Sequence, residues 1–544
     1  MLSVPERKPS MSTIPSHLAA YAADGSWAQM TIGDYARRWA QTEPDRVVFL
    51  GDPAAPTYAS LLADGEALAR ALFDLGLKQG DVFSFQVPNW VEAAAINLAA
   101  SLGGFVINPI VPIYRDAEVI HMLSDSHSRA FFVAESFRGY DFAAMVDRVR
   151  PHLPQLDHVI YVRPAERTPN LADLIAHGRG LTTPLPKVDP NALKLILYTS
   201  GTTGRPKGVL HSHNTLDRVA QFSFRHNGIP GDVTLMPSPV THISGFSGGL
   251  EKPFAVGSRT VLMEVWKAAD AVDLIDKFGI TSTVAATPFL QELCDAAAAK
   301  GSTLPSFRRF ACGGAAVPSD LVHAANGRLA NACAFRVYGS SEVPLATQGI
   351  LPEVSLVCAA ETDGEPLDYE LRLVDDDGNE VPRGADGEIL ARGPAMFLGY
   401  ADEAQTRESL TGDGFFRTGD IGRLTPEGAL VITGRKKDLI IRGGENISAK
   451  EIEDVLHTHP AIKEAAVVSM PHPRLGEGIC AYFIPTGEAR PDIAALSAFV
   501  SAAGLAKQKC PERIEWTETL PRTASGKIRK DQLRAMIKAL VAAG

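Results

Sequence analysis

The sequence predicts an α/β protein in three parts: a large N-terminal domain of layered strands and helices, a β-rich subdomain at its end, and a small α+β domain at the C-terminus. Three observations carry this prediction. Apolar strand-like runs alternate with Ala-rich helical patterns up to about residue 340, an order that packs helices against a largely parallel sheet. After about Asp363 the helical patterns give way to short strands. A new α/β pattern then begins near Lys437. The expected division is 1–436, with its β-rich part at about 363–436, and 437–544.

In chain order, residues 82–87 read as a strand and 90–102 as the helix that follows it. The most apolar stretch, 93–113, contains Asn97, Gly103, Gly104, Asn108, Pro109 and Pro112, so it reads as a buried helix running into a strand and not as a membrane span. Residues 130–133 and 142–149 repeat the strand–helix pair. Residues 193–197 form another apolar strand, and ligand loops in α/β sheets lie at the carboxyl ends of strands. In the β-rich part, 371–381 reads as a strand, a turn and a returning strand, with further short strands at 388–391 and 429–433. The C-terminal pattern is a helix at 449–457, strands at 465–470 and 479–484, and a helix at 493–503.

Size and composition narrow the function. A chain of 544 residues exceeds one hydrophobic core, and 45% hydrophobic with 21% charged residues describes a globular chain. The formal net charge of −10 argues against general binding to nucleic acid or anionic membranes. Cys294, Cys312, Cys333, Cys358, Cys480 and Cys510 are scattered, without C-x-x-C or zinc spacing, and read as reduced thiols of a cytoplasmic protein. The first ten residues lack the apolar core of a signal peptide. No solenoid repeat or long low-complexity segment is visible.

Eight segments hold chemistry-bearing residues. Tyr198-Thr-Ser-Gly-Thr-Thr-Gly-Arg-Pro-Lys-Gly-Val209 packs hydroxyls, glycines and a lysine directly behind a strand, the composition of a phosphate-wrapping loop. It is not a Walker A loop, because Pro206 precedes Lys207 and Gly208 follows it. Pro237-Ser-Pro-Val-Thr-His-Ile-Ser-Gly-Phe246 carries a lone histidine, more often a packed residue than a functional one when read by itself. Arg309-Phe-Ala-Cys-Gly-Gly-Ala-Ala-Val317 is a strand ending in small residues, which tight strand–helix packing also explains. Tyr338-Gly-Ser-Ser-Glu342 supplies a ring that can stack on a base and a carboxylate that suits a hard cation. Phe415-Phe-Arg-Thr-Gly-Asp420 and Gly434-Arg435 pair an acid with a guanidinium. Arg442-Gly-Gly-Glu-Asn-Ile447 is a Gly-Gly turn, and Pro521-Arg-Thr-Ala-Ser-Gly-Lys-Ile-Arg-Lys530 is a basic stretch of the kind that usually faces solvent.

Together these segments resemble the adenylate-forming superfamily of acyl-CoA synthetases, aryl-acid ligases, adenylation domains and luciferases, from roughly Thr31 to Met536. The resemblance implies a small mobile C-terminal domain and an AMP-dependent acid–CoA ligase. Thr199, Ser200, Gly201, Thr202, Thr203, Gly204 and Lys207 are then expected to cradle the β- and γ-phosphates of ATP. Gly313, Gly314 and Ala315 lie beside adenine and the acyl group, and Tyr338 stacks on adenine. Asp420 and Arg435 bind ribose or phosphate. Glu342 holds Mg²⁺, and Ser341, where the family usually has threonine, bonds an α-phosphate or carboxylate oxygen. His242 positions the acid, and Phe246 and Gly249 wall the acyl pocket. Lys437 is the hinge, and Lys527 is the catalytic lysine of adenylation. Gly443 and Gly444 border the route of coenzyme A.

The expected reaction is carboxylic acid, ATP and CoA to acyl-CoA, AMP and diphosphate. The acid is left open among fatty, aryl and alicyclic classes, although 238–246 is similar to ligases for cyclic or medium-chain acids such as cyclohexanecarboxylate. A homodimer is left open too. Three rivals stand beside this reading: an enzyme that loads a carrier-protein thiol, a P-loop nucleotidase releasing ADP, and a non-catalytic nucleotide-binding homologue.

Overall fold

The computed structural model describes residues 14–199, 206–228, 231–314, 317–442, 445–523 and 526–543. The predicted α/β layering is present, and four main sheets organise it. The first has seven strands in the order Gly399–Tyr400, Lys207–Ser212, Leu193–Thr199, Val106–Pro109, Val82–Gln86, Ala130–Ala134 and His158–Val162. Its last five strands are parallel, and their residues are almost all buried, as expected when helices cover both faces. Helix Glu92–Gly103 is buried along nearly its whole length and ends at Gly104, whose φ of +67° is the left-handed conformation that closes a helix without a Cβ clash.

One end of this sheet departs from the parallel pattern. Lys207–Ser212 runs antiparallel to Leu193–Thr199, with Thr199 opposite Lys207. The strands that flank the glycine- and hydroxyl-rich segment are therefore antiparallel neighbours.

The second sheet is fully parallel, in the order Arg259–Leu262, Val233–Met236, Ser282–Ala285, Arg309–Cys312 and Ala334–Arg336. The third is an antiparallel meander of Glu370–Val374, Gly387–Arg392, Phe416–Leu424 and Leu430–Arg435. Here the expectation of a returning strand at 371–381 needs correction. The return contributes only the isolated bridge Val374–Glu380, because Asp375 spends its carboxylate on the amides of Asp377 and Asn379 and closes a tight local turn. A buried ion pair ties the second and third sheets together. Arg336 Nε and Nη2 donate to the two oxygens of Asp363 at 2.9 and 2.5 Å, and Asp363 Oδ2 also accepts from the Ile432 amide at 2.8 Å.

The C-terminal sheet is mixed, with Glu445–Ser448, Leu439–Arg442, Gly476–Pro485 and Ile462–His472 antiparallel in sequence across the sheet and Arg513–Trp516 parallel to Gly476–Pro485. Helices Ala449–His457 and Ile493–Ala502 cover one apolar face around Ile440, Val467 and Phe483. Helix Lys530–Ala543 covers the other through Leu533 and Ile537. The six cysteines are unpaired. No helix among the described residues is long and apolar enough to cross a membrane.

Candidate active site

One cavity of about 1130 Å³ collects most of the residues singled out in the sequence. Thr199, Lys207, His242, Gly313, Gly314, Tyr338, Ser341, Glu342, Asp420, Arg435, Lys437 and Lys527 all line it, although they are spread over more than three hundred positions of the chain. Ser200, Gly201, Thr202, Thr203, Gly204, Ala315, Gly443 and Gly444 lie outside the described residues. The hairpin strand before the Gly-Gly turn, Leu439–Arg442, does not line the cavity.

Asp420 and Arg435 face each other across neighbouring strands of the meander, and Arg435 Nε lies 2.7 Å from Asp420 Oδ1. The Tyr338 hydroxyl donates to the other oxygen, Oδ2, at 2.7 Å. Each carboxylate oxygen keeps a second lone pair, so Asp420 is oriented and can still accept from a ligand hydroxyl. Burial and the adjoining Asp420 carboxylate push the Tyr338 phenol well above its usual range, so it stays a donor.

Glu342 is oriented in the same manner. Ser340 Oγ donates to Oε2 at 2.8 Å and the Tyr400 hydroxyl donates to Oε1 at 2.8 Å. Tyr400 also presents its ring to the Lys207 ammonium, 5.1 Å from the centroid. Sequence reasoning missed Tyr400, which links the end of the phosphate-type loop to the acid. The missed signal lies in register: its two-residue strand pairs with Lys207–Ser212, with Tyr400 opposite Val209. The Ser341 carbonyl accepts from buried His211 Nε2 at 2.7 Å, which fixes the loop on which Ser341 and Glu342 stand.

Gly313 is required by close approach. A Cβ there would lie 2.6 Å from the Val337 carbonyl oxygen. Its neighbour Gly314 has φ of +81° and sits under the Lys527 side chain, with a Cβ position 3.9 Å from Lys527 Cε.

Lys527 enters from the C-terminal domain. Its loop is closed by reciprocal bonds, with Thr523 N donating to Lys527 O at 2.7 Å and Lys527 N donating to Thr523 Oγ1 at 3.1 Å. Arg522 holds the loop further by donating to the Gly526 carbonyl at 2.9 Å and pairing with Glu464. Burial, with the nearby Arg435 cation, lowers the Lys527 ammonium to about 8, while Asp420 and Glu342 act against the fall. At neutral pH roughly nine in ten molecules keep the charge. His242 has the opposite fate. Burial and the Lys527 charge push its imidazole down to about 4, so it is neutral and can offer a hydrogen bond but no charge.

Phe246 and Gly249 do not line the cavity. They belong to the π-helical turn Phe246–Glu251, whose winding points Ser247 and Gly248 at the cavity instead. Phe246 is fully buried, and a Cβ on Gly249 would lie 3.1 Å from Met236 Cγ. Of this segment it is Ser247 and Gly248, and not the expected Phe246 and Gly249, that line the cavity.

Lys437 sits on the single turn Lys436–Asp438 between the third sheet and the C-terminal sheet. Lys436 Nζ reaches Glu388 at 3.1 Å on one side, and Arg534 reaches Asp438 at 2.9 Å on the other. Burial lowers the Lys437 ammonium, and Arg435 adds to the effect.

Comparison with known proteins agrees with this geometry. Residues 36–401 match the family model described as AMP-binding enzyme, and residues 451–527 match the AMP-binding enzyme C-terminal domain. The chain is 35% identical over 525 residues to the medium-chain fatty-acid–CoA ligase of Escherichia coli strain K12, covering 95% of this chain and 92% of that protein. It is 32% identical over 541 residues to the 2,3-dihydroxybenzoate-AMP ligase of Bacillus subtilis strain 168, covering 97% and 98%. Among solved structures it superposes on ATP-bound MatB from Rhodopseudomonas palustris with a TM-score of 0.82 at 26% identity, covering 94% of this chain and all of that one.

Proposed function

The chain belongs to the AMP-binding enzyme family of adenylate-forming acid ligases, and on that premise we propose that it activates a carboxylic acid with ATP and transfers the acyl group to coenzyme A. The observation that carries this reading is the convergence of Lys527 with Glu342, Asp420 and Arg435 in one cavity.

In the first half-reaction the acid's carboxylate attacks the α-phosphorus of ATP, the bond to the β-phosphate oxygen breaks, and acyl-AMP and diphosphate form. Two anionic reactants meet, and one ammonium between them holds both and offsets the charge that grows in the transition state. Lys527 suits that role because it lines the cavity, its ammonium is lowered only to about 8, and it has no carboxylate within salt-bridge distance among the described residues. Asp420 accepts from the ribose hydroxyls, Tyr338 stacks on adenine, and Arg435 donates to ribose or phosphate. Neutral His242 lines the route to the reacting carboxyl, and Lys207 contacts the leaving diphosphate.

Among the described residues no group of three or more His, Cys, Asp or Glu is placed to hold a metal. The donor set fits Mg²⁺ in the form it usually takes with nucleotides, with one carboxylate, here Glu342, and phosphates and water for the remaining oxygens. Mg²⁺ there would neutralise phosphate charge.

In the second half-reaction the CoA thiolate attacks the acyl carbonyl and AMP leaves. The domain division 1–436 and 437–544 supports a rotation about Lys437, since its two neighbours are tied to opposite sides. The rotation would withdraw Lys527 and bring Gly443 and Gly444 to the thioester site. The relationship to the fatty-acid–CoA ligase supports CoA as acceptor, and that to the dihydroxybenzoate-AMP ligase supports a carrier-protein thiol.

A panel of carboxylic acids assayed with ATP for diphosphate release, with CoA, without it, and with a phosphopantetheinyl carrier protein, tests the reading. Acid-dependent diphosphate and acyl-CoA are expected. Release of ADP rejects the adenylation chemistry, and transfer to the carrier alone rejects CoA as acceptor.

A further inference from the structure

The cavity has a second limb whose chemistry adenylation leaves unassigned. It runs over one face of the parallel second sheet, where alternate residues of each strand point the same way. The register sorts the lining residues into layers. Below Gly313 come Val284 and Ala311, which pair with each other, and beneath them Thr234, Ser282 and Arg309, which also stand in line. From Gly313 to Arg309 is four residues of strand, roughly 13 Å.

The middle of this limb is apolar and its far end is not. Lys252 Nζ donates to Asp232 Oδ2 at 2.7 Å and to Thr234 Oγ1 at 3.0 Å, which leaves one of its three N–H donors unspent. The guanidinium of Arg309 gives its Nη groups to Glu353 and to the Arg308 carbonyl, while its Nε is buried without a partner among the described residues. The acceptors of the cluster are already used. Asp232 Oδ1 takes the hydroxyls of Thr281 and Ser282, and Oδ2 takes the Lys252 ammonium. Both cations are paired with carboxylates, so the end of the limb has no net charge to offer, only surplus N–H groups. A buried donor without a partner is unfavourable, and an occupant that supplies an acceptor removes the penalty, whereas a methyl terminus leaves it in place.

We propose that the acid carries an uncharged oxygen acceptor, a carbonyl or a hydroxyl, at the end remote from its reacting carboxylate, on an apolar body about as long as the limb. The proposal rests on the acid-ligase reading of the same cavity.

The test compares a straight-chain acid of medium length with its ω-oxo and ω-hydroxy counterparts, reading kcat/KM by diphosphate release. The oxygenated acids are expected to be preferred by about tenfold or more. Arg309→Met removes one of the two surplus donors and leaves Glu353 at the surface, and it should cut the preference for the oxygenated acids to about threefold, with Lys252 keeping the remainder. Equal or better use of the plain acid by the unaltered protein overturns the proposal, as does preference for a short aromatic acid over both. A preference unmoved in folded Arg309→Met removes Arg309 from it. ATP cleaved to ADP, with no diphosphate from any acid, overturns the ligase reading and this inference together.

Discussion

Lys194 is a fully buried cation and Lys527 a partly buried one that lines the cavity, and the two regions that hold them do so in opposite ways. Lys194 lies against the ring of Phe246 with its ammonium 2.6 Å from Glu251 Oε1, and both side chains are all but inaccessible. Asn97 donates to the same carboxylate oxygen at 2.7 Å. Burial lowers the Lys194 ammonium while Glu251 pulls it back up. Nearby His213 is pushed well below its usual range by burial and by the Lys194 charge, so it adds no second cation. Lys527 is partly buried, and its strongest charged neighbour is the Arg435 cation, ahead of the carboxylates of Asp420 and Glu342. A partnered charge fixes the end of the turn that presents Ser247 and Gly248. One without a salt-bridge partner among the described residues is poised for anions of a ligand.

Five measurements can break or sharpen this contrast. Lys194→Met should have the largest effect, a loss of about 3–5 kcal/mol in unfolding free energy, because Glu251 is left buried and unpaired. Denaturant titration reads it, and a change near zero would mean that the pair fixes nothing. Lys527→Ala should leave that titration almost unmoved and instead slow acyl-AMP formation by about 10²–10³-fold, while thioester formation from supplied acyl-AMP survives. Loss of both half-reactions in a folded variant would remove Lys527 from its assigned step.

The pH dependence is smaller and has a definite sign. Adenylation needs the ammonium, so kcat/KM for ATP should be flat below about 8 and fall about tenfold per unit above it. Bound ATP is anionic and should move the break in kcat to higher pH. Asp420→Asn removes a charge that helps keep Lys527 protonated, so its break in kcat/KM should move down and the KM for ATP should rise more than that for the acid. A break that stays in place would uncouple the two residues. The smallest effect belongs to the double variant Lys194→Met/Glu251→Leu, expected near the parent stability, since replacing a buried pair by apolar groups is often neutral. A loss as large as that of Lys194→Met alone would show that the charges, and not the vacated partner, set the cost.

The legibility of the site followed the distance over which each decision was made. Local signals placed helices 142–149 and 449–457 to the residue, since capping and periodicity act within a few turns. Asp420 and Arg435 were readable as a pair because two strands of one meander bring them together. Tyr400 was not, since it meets Lys207 through a strand pairing between segments far apart in the chain, and Glu342 on a loop that follows the second sheet. Phe246 and Gly249 were misread because a π-helical turn shifts which residues face inward, and nothing in the local composition announces the extra residue per turn. Arg309 was quoted only as the start of a small-residue strand. Its chemistry emerges from the register that aligns it with Ser282 and Thr234.

The sequence by itself determined the layered α/β class, the phosphate-type loop that is not a Walker A loop, and the set of residues from Lys207 to Lys527 worth assembling. Those are short-range properties of composition, spacing and strand–helix order. Only the tertiary structure decided that Lys527 sits inside the cavity with Glu342, Asp420 and Arg435, that Ser247 and Gly248 form its wall, and that its far limb ends in surplus N–H donors. Each of these depends on packing between segments far apart in the chain, where burial and neighbouring charge set both geometry and protonation, and no local pattern records either.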